Sequence, residues 1–150
     1  MKYFHYKTLS ELQQEAEALP CPNIRFVADP QKVTGLLARK VTVAGRQVGN
    51  SMCIHPMEGC DGELDGTPGE LTTRRYVRFA EGGAKLLWFE ATAVRPDGRA
   101  NTRQLWLHEG NVTAYRELVE LIHSRHKALW GTTDDLLMPC LLYTSDAADE

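Results

Sequence analysis

The sequence has no long apolar run. Nothing in it approaches the roughly 18 consecutive apolar residues of a membrane span, so no membrane insertion is expected. The opening MKYFHYKTLS lacks the apolar stretch of a secretory leader, which points to a cytoplasmic protein. Charge imbalance is also small: 17 Lys and Arg stand against 20 Asp and Glu, a net −3. That balance gives no electrostatic case for nucleic acid or for an anionic membrane surface. Cysteine is sparse, and Cys21, Cys53, Cys60 and Cys140 include no C-x-x-C pair. A secreted disulfide framework would be denser, and a zinc site needs four convergent ligands, so reduced thiols and no metal are expected. No G-x-G-x-x-G, P-loop or G-x-S-x-G stretch occurs, which leaves no readable phosphate cradle and no serine-hydrolase signature.

What remains is an ordinary globular composition. With 43% hydrophobic and 25% charged residues, 150 residues suffice for one domain with its own core. Thr8 and Glu11 form a capping-box pattern ahead of Leu9, Leu12, Ala16 and Leu19, which recur at helical spacing until Pro20 and Pro22. Residues Asn23 to Leu36 read as irregular. Val41, Val43 and Val48 flank a turn at Ala44-Gly45-Arg46, which predicts a hairpin.

The apolar run Met52-Cys53-Ile54 reads as a strand buried on both faces of a parallel sheet. It leads into a glycine-rich loop from Glu58 to Gly69, of the length that usually carries function. Thr67 and Glu70 look like a capping box, with Pro68 opening a helix to about Ala80 that turns Tyr76, Phe79 and Ala80 inward. Gly82-Gly83 supplies the stop. Leu86-Leu87-Trp88-Phe89 is a second buried strand. A loop from Arg95 to Gly110 follows, then a helix from about Asn111 to Leu129 with an inward stripe of Val112, Tyr115, Leu118, Val119 and Ile122. Leu136-Leu137-Met138 begins a third strand. Strands alternating with amphipathic helices predict an α/β fold with a parallel sheet wrapped by helices.

In such folds the working face lies beyond the carboxyl ends of the strands. Two places qualify: His55-Pro56-Met57-Glu58 and Glu90-Ala91-Thr92-Ala93. Taken alone, Pro56 and Met57 suit a rigid turn with a core plug, and His55 suits a hydrogen-bonded structural role. Glu90 ends a very apolar run, and an ion pair with Arg74, Arg75 or Arg95 is the favoured reading over a free buried acid. His123 and His126 are spaced to share a metal, but Arg125 and Lys127 interleave them near a helix end, so a solvated cationic end is expected.

Three segments together carry a resemblance. Asn50 to Met57 reads NSMCIHPM, Thr72 to Ala100 reads TTRRYVRFAEGGAKLLWFEATAVRPDGRA, and Leu105 to Val112 reads LWLHEGNV. Over roughly Val41 to Met138 the chain resembles the N-terminal part of the Old Yellow Enzyme family of NADH:flavin oxidoreductases. That resemblance implies the start of a (β/α)8 TIM barrel, a hairpin closing its bottom, and FMN at its mouth. It implies that His55, Pro56, Met57 and Glu58 lie against the flavin ring and that Ala91 approaches it from the second strand. His55 stands where many members carry Ala or Ser, and Glu58 where Thr or Cys is common. The implied chemistry is hydride transfer from NADH or NADPH through FMN to an electron-poor alkene, a small-molecule substrate. Two readings from other classes stand beside it: a flavin-free barrel lyase or aldolase using Glu90 or His55 as acid or base, and a non-enzymatic α/β ligand-binding module.

A barrel of this class needs about 250 residues, so 1–139 is expected to be the N-terminal part of a larger domain and inactive by itself. An open sheet of two or three strands would also leave an edge prone to association. The last stretch, CLLYTSDAADE from Cys140 to Glu150, departs from the family pattern and resembles translated sequencing adapter, so residues 140–150 are expected to be non-native. They hold Asp146, Asp149 and Glu150 and no base, which accounts for the whole of the −3.

Overall fold

The computed structural model describes residues 5–20 and 24–143. Cys21 and the tail beyond Tyr143 lie outside that range. The chain divides into two compact units, 1–38 and 39–150.

In the first unit, α1 (Leu9–Glu17) begins as its capping residues predict. Thr8 Oγ1 accepts from Glu11 N at 3.2 Å, and Glu11 Oε2 accepts from Lys7 N at 2.9 Å. The expected apolar stripe is weaker than its spacing suggests, because Ala16 is buried while Leu9 and Leu19 are exposed. A second helix, α2 (Pro30–Leu37), forms where the sequence reads as irregular. Asp29 caps it by accepting from Gln31 N at 2.9 Å, and Pro30 already has the φ of a first helical turn. The Asp-Pro start signal is what the reading from periodicity passed over.

The second unit opens with an antiparallel hairpin, β1 (Val41–Val43) and β2 (Arg46–Val48), pairing Val41 with Val48 and Val43 with Arg46. Ala44 and Gly45 both have positive φ, as a two-residue turn of matching twist requires, so Arg46 starts the strand and is no part of the turn.

The remaining elements are β3 (Cys53–Ile54), α3 (Glu70–Glu81), β4 (Leu86–Leu87), β5 (Phe89–Ala93), α4 (Val112–Trp130) and β6 (Cys140–Tyr143). β3 pairs with β4 and β5 with β6, both in parallel. A parallel bridge from Leu86 to Leu137 joins these pieces, so three segments lie side by side in chain order with a helix between each. That is two consecutive β–α–β units, as the alternation predicts. The described residues form an open α/β layer and no closed barrel. Residues 140–143, set aside from the sequence as non-native, continue the third segment as β6.

The core is Tyr76, Ala80, Ala84, Leu87, Phe89, Leu118, Ile122 and Leu136. Tyr76 stacks on Phe89 with ring centroids 4.3 Å apart. Three expectations are corrected here. Met52 and Cys53 are exposed, because β3 has only β4 as a described partner and sits at the sheet edge. The Thr67/Glu70 capping box does not form: Gly69 is the N-cap, and Thr67 instead closes a turn with Asp65 Oδ1 on its N–H at 3.0 Å. Val112 is exposed, since the inward stripe of α4 starts one turn later.

His126 is the fourth correction. It is fully buried and no solvated end of the helix, with Nδ1 2.8 Å from Ala80 O of α3 and Nε2 without a partner. Burial depresses its pKa, Lys85 adds to that depression, and the Ala80 carbonyl and Asp135 oppose it; His123 on its own helix also disfavours the charge. A histidine titrating lower when folded than at its unfolded value of about 6.5 binds fewer protons in the native state, so stability is lost as pH falls through that window. The melting temperature of this unit is therefore expected to drop between about pH 7 and about pH 5. His126→Leu should flatten that dependence; an unchanged slope would show that His126 does not cause it.

Candidate active site at the strand ends

The chain beyond β3 is held against β5 through Glu90, and Glu90 to Ala93, expected beyond the second strand, form that strand itself. After Ile54, the Met57 N–H donates to the His55 carbonyl at 2.8 Å, closing a three-residue turn on Pro56, whose fixed φ suits that geometry. The turn leaves Pro56 half-buried and throws Met57 outward, 75% exposed. His55 and Glu58 are exposed beside it. So strongly exposed a large apolar side chain on a rigid turn is an uncovered contact surface, not the core plug the sequence also allows.

Glu90 carries the junction. Its side chain is 1% exposed, with Arg75 Nη2 donating to Oε1 at 2.7 Å and Gly59 N donating to Oε2 at 2.8 Å. The Glu90 N–H in turn donates to the Tyr76 hydroxyl at 2.9 Å. The ion pair favoured from the sequence is therefore present, and Arg75 is the partner. Arg75 also reaches Asp61 Oδ1 at 2.8 Å, which Thr72 Oγ1 approaches at 2.7 Å. Burial works against ionising Asp61, but the hydrogen bonds from Arg75 and Thr72 outweigh it and hold the carboxyl below its ordinary range. Burial raises the Tyr76 hydroxyl well above the usual phenol value.

Glu58 is different. Partial burial, reinforced by the nearby Glu90 charge, pushes its carboxyl upward. Its Oε2 accepts from Asn101 Nδ2 at 3.4 Å, and the same amide lies 3.3 Å from Cys60 Sγ. Ala91 is buried, and its carbonyl accepts from Gln104 Nε2 at 3.2 Å, while Gln104 Oε1 takes the Ala100 N–H at 2.6 Å. The loop after β5 is thereby pinned to the strand that carries Ala91. Asp61, Asn101 and Gln104 escaped the reading from sequence; their one signal there is position, in the two long loops that follow strands.

An apolar cavity of about 490 Å³ lies elsewhere, lined in part by Phe89, Val119, Leu136, Met138 and Leu142. It includes none of His55, Pro56, Met57, Glu58 or Ala91.

No protein-family model matches the chain. Among solved structures, its fold is similar to an Old Yellow Enzyme from a Pichia species, with TM-score 0.59 and 18% identity over 72% of this chain and 26% of that one. Morphinone reductase gives 0.57 at 18% identity over 71% and 26%, and the old yellow enzyme of Trypanosoma cruzi gives 0.56 at 18% over 73% and 27%. At such identities these show a shared fold. The fold class is thus that of a segment of these enzymes. In sequence, the chain is 34% identical over 87 residues to an NADPH dehydrogenase of Listeria welshimeri, covering 57% of this chain and 25% of that protein. The resemblance to the Old Yellow Enzyme family read from the three motifs is borne out, and the chain spans about a quarter of the length of the relatives it matches.

Proposed function

We propose that this chain is the N-terminal part of an FMN-dependent oxidoreductase built as a (β/α)8 barrel, with His55, Pro56, Met57, Glu58 and Ala91 forming one wall of the flavin site. The observation that carries the reading is Met57 uncovered on the tight turn that follows β3, in a chain whose relatives are oxidoreductases by name.

The residues present fit the ring of such a cofactor. Met57 and Pro56 offer a rigid apolar surface that a planar ring would cover, which would remove Met57 from water. Glu58, exposed beside Met57, offers carboxylate oxygens that can accept a hydrogen bond from a ring N–H. When bound, FMN would supply hydride transfer from NADH or NADPH to an electron-poor alkene. This chain's share is to orient that group, and Gln104 and Glu90 hold the two strand-end loops for it.

A flavin-free lyase acting through Glu90 is disfavoured, because both carboxylate oxygens are already engaged by Arg75 and Gly59. No helix among the described residues is long and apolar enough to cross a membrane, and we place the protein in the cytoplasm with a small-molecule substrate and no nucleic-acid partner. Residues 140–150 are proposed to be non-native; genomic sequence past codon 139 that reads otherwise supports this, and the same eleven codons refute it.

The test of the function is turnover. The protein from the uninterrupted gene should consume NADPH or NADH when given an enone and return the saturated ketone. The 150-residue chain should not. Enone-independent lyase activity, or ligand binding without turnover, would replace the proposal.

A further inference from the structure

A polar cluster in the second unit includes none of the residues proposed for the flavin wall. Two carboxylates from different segments, Asp61 of the loop after β3 and Glu90 of β5, converge on one guanidinium from α3. The loop's main chain joins the same cluster through Gly59 N on Glu90 Oε2. Gly59 also leaves the room the cluster needs: a β-carbon there would lie 2.1 Å from Arg75 Nη2. The guanidinium packs against the loop backbone at the residue next to Glu58.

We propose that Arg75 is a positioning residue of this site, locking Gly59, and with it the Met57–Glu58 backbone, against the Glu90 carboxylate of β5. Its meaning for flavin rests on the reading above, whereas the lock itself rests on the geometry. Glu90 keeps one oxygen on Gly59 because Arg75 neutralises the other. Without that charge, a carboxylate buried this deeply is left unpaired and turns toward water, which weakens its hold on the Gly59 amide. Asp61 fixes the same loop two residues further on, so the guanidinium spans the stretch from 59 to 61 at both ends.

The ion pair stabilises the whole unit, and a positioning role adds an effect confined to this loop in a variant that keeps the cation. The two roles separate by hydrogen exchange measured residue by residue on the 150-residue chain, with Cys60 labelling by a maleimide as a second readout. Arg75→Lys keeps a cation but lacks the planar fork by which Nε and Nη2 grip both Asp61 oxygens while Nη2 also reaches Glu90. Tyr76→Phe is the control, because it removes the hydroxyl bonded to the Glu90 N–H and leaves the clamp intact. Arg75→Lys is expected to speed Gly59 exchange and Cys60 labelling about tenfold or more, while the Leu87 amide in the core stays as protected as in the parent. Tyr76→Phe should leave Gly59 and Cys60 at parental rates. Gly59 protection that is unchanged in Arg75→Lys, or that falls in step with Leu87, would overturn the proposal. A colourless full-gene product beside a released Gly59 would remove the flavin reading and leave the lock standing; the opposite pair of results would do the reverse.

Discussion

Arg75→Met is expected to cost the second unit about 3–5 kcal/mol, the loss typical of breaking a buried ion pair from one side. The Glu90 side chain is 1% exposed, and its Oε1 has Arg75 as its charged partner at 2.7 Å. Methionine matches the volume of the arginine stem but brings no charge, so Glu90 is left without its charged partner in a poorly solvated place. Asp61, less buried, loses its bidentate contact as well. Against the 5–15 kcal/mol typical of a small domain, a loss of about this size brings the unit near its unfolding midpoint at room temperature. Pairing the change with Glu90→Gln should recover much of it, since the buried charge is then gone while an amide oxygen can still accept from Gly59. Urea denaturation of the parent, both single variants and the double variant gives the cycle directly. A single-variant loss below about 1 kcal/mol would place the pair among inert surface ion pairs.

The second large effect is at Gly66, where the loop after β3 meets the loop after β5. Its φ is +83°, and its carbonyl accepts both the Trp106 N–H at 3.1 Å and the Tyr115 hydroxyl at 2.9 Å. A methyl added there would lie 2.5 Å from Trp106 Cβ, 2.7 Å from its nitrogen and 2.8 Å from its carbonyl oxygen. Backbone on that side cannot step aside without breaking the Gly66–Trp106 hydrogen bond. Gly66→Ala is therefore expected to cost about 2–5 kcal/mol, combining the left-handed conformation with overpacking. Gly45→Ala separates the two contributions. Gly45 has φ +76° but nothing within 4 Å of an added β-carbon, so its variant should lose only about 1–2 kcal/mol. Equal losses at the two positions in thermal melts would show that the contact with Trp106 does not matter.

The outline of the fold was legible because strand and helix signals here are local. The Leu86–Phe89 run, the Gly82-Gly83 stop and the α4 stripe each depend on residues within one or two turns of each other. What was not legible depends on tertiary partners. Cys53 reads as buried because its neighbours are apolar, yet β3 lies at an open edge and the thiol is exposed. His126 reads as solvated because Arg125 and Lys127 flank it, yet one turn of helix carries it onto the Ala80 carbonyl. α2 was missed for a different reason: all its residues are exposed, so it has no apolar periodicity, only an Asp-Pro cap.

The site divides the same way. His55 to Glu58 do follow β3 as expected from the sequence, whereas Ala91 lies within β5 and not beyond it. The ion pair at Glu90 was also foreseeable from an acid closing an apolar run. Its partner, and the roles of Asp61 and Gln104, come from side chains 13 to 15 residues or more away in sequence, and no spacing rule picks out one arginine among three.

The most direct test of the central claim is the visible spectrum of the protein purified from the uninterrupted gene. The account predicts a yellow protein carrying about one FMN per chain, whose flavin absorbance bleaches when NADPH or NADH is added without oxygen and returns when an enone follows. Met57→Asp should lower the bound flavin while leaving the melting temperature of the flavin-stripped protein nearly unchanged, because Met57 is 75% exposed. A colourless protein that takes up no FMN on titration, yet melts cooperatively, would contradict the account.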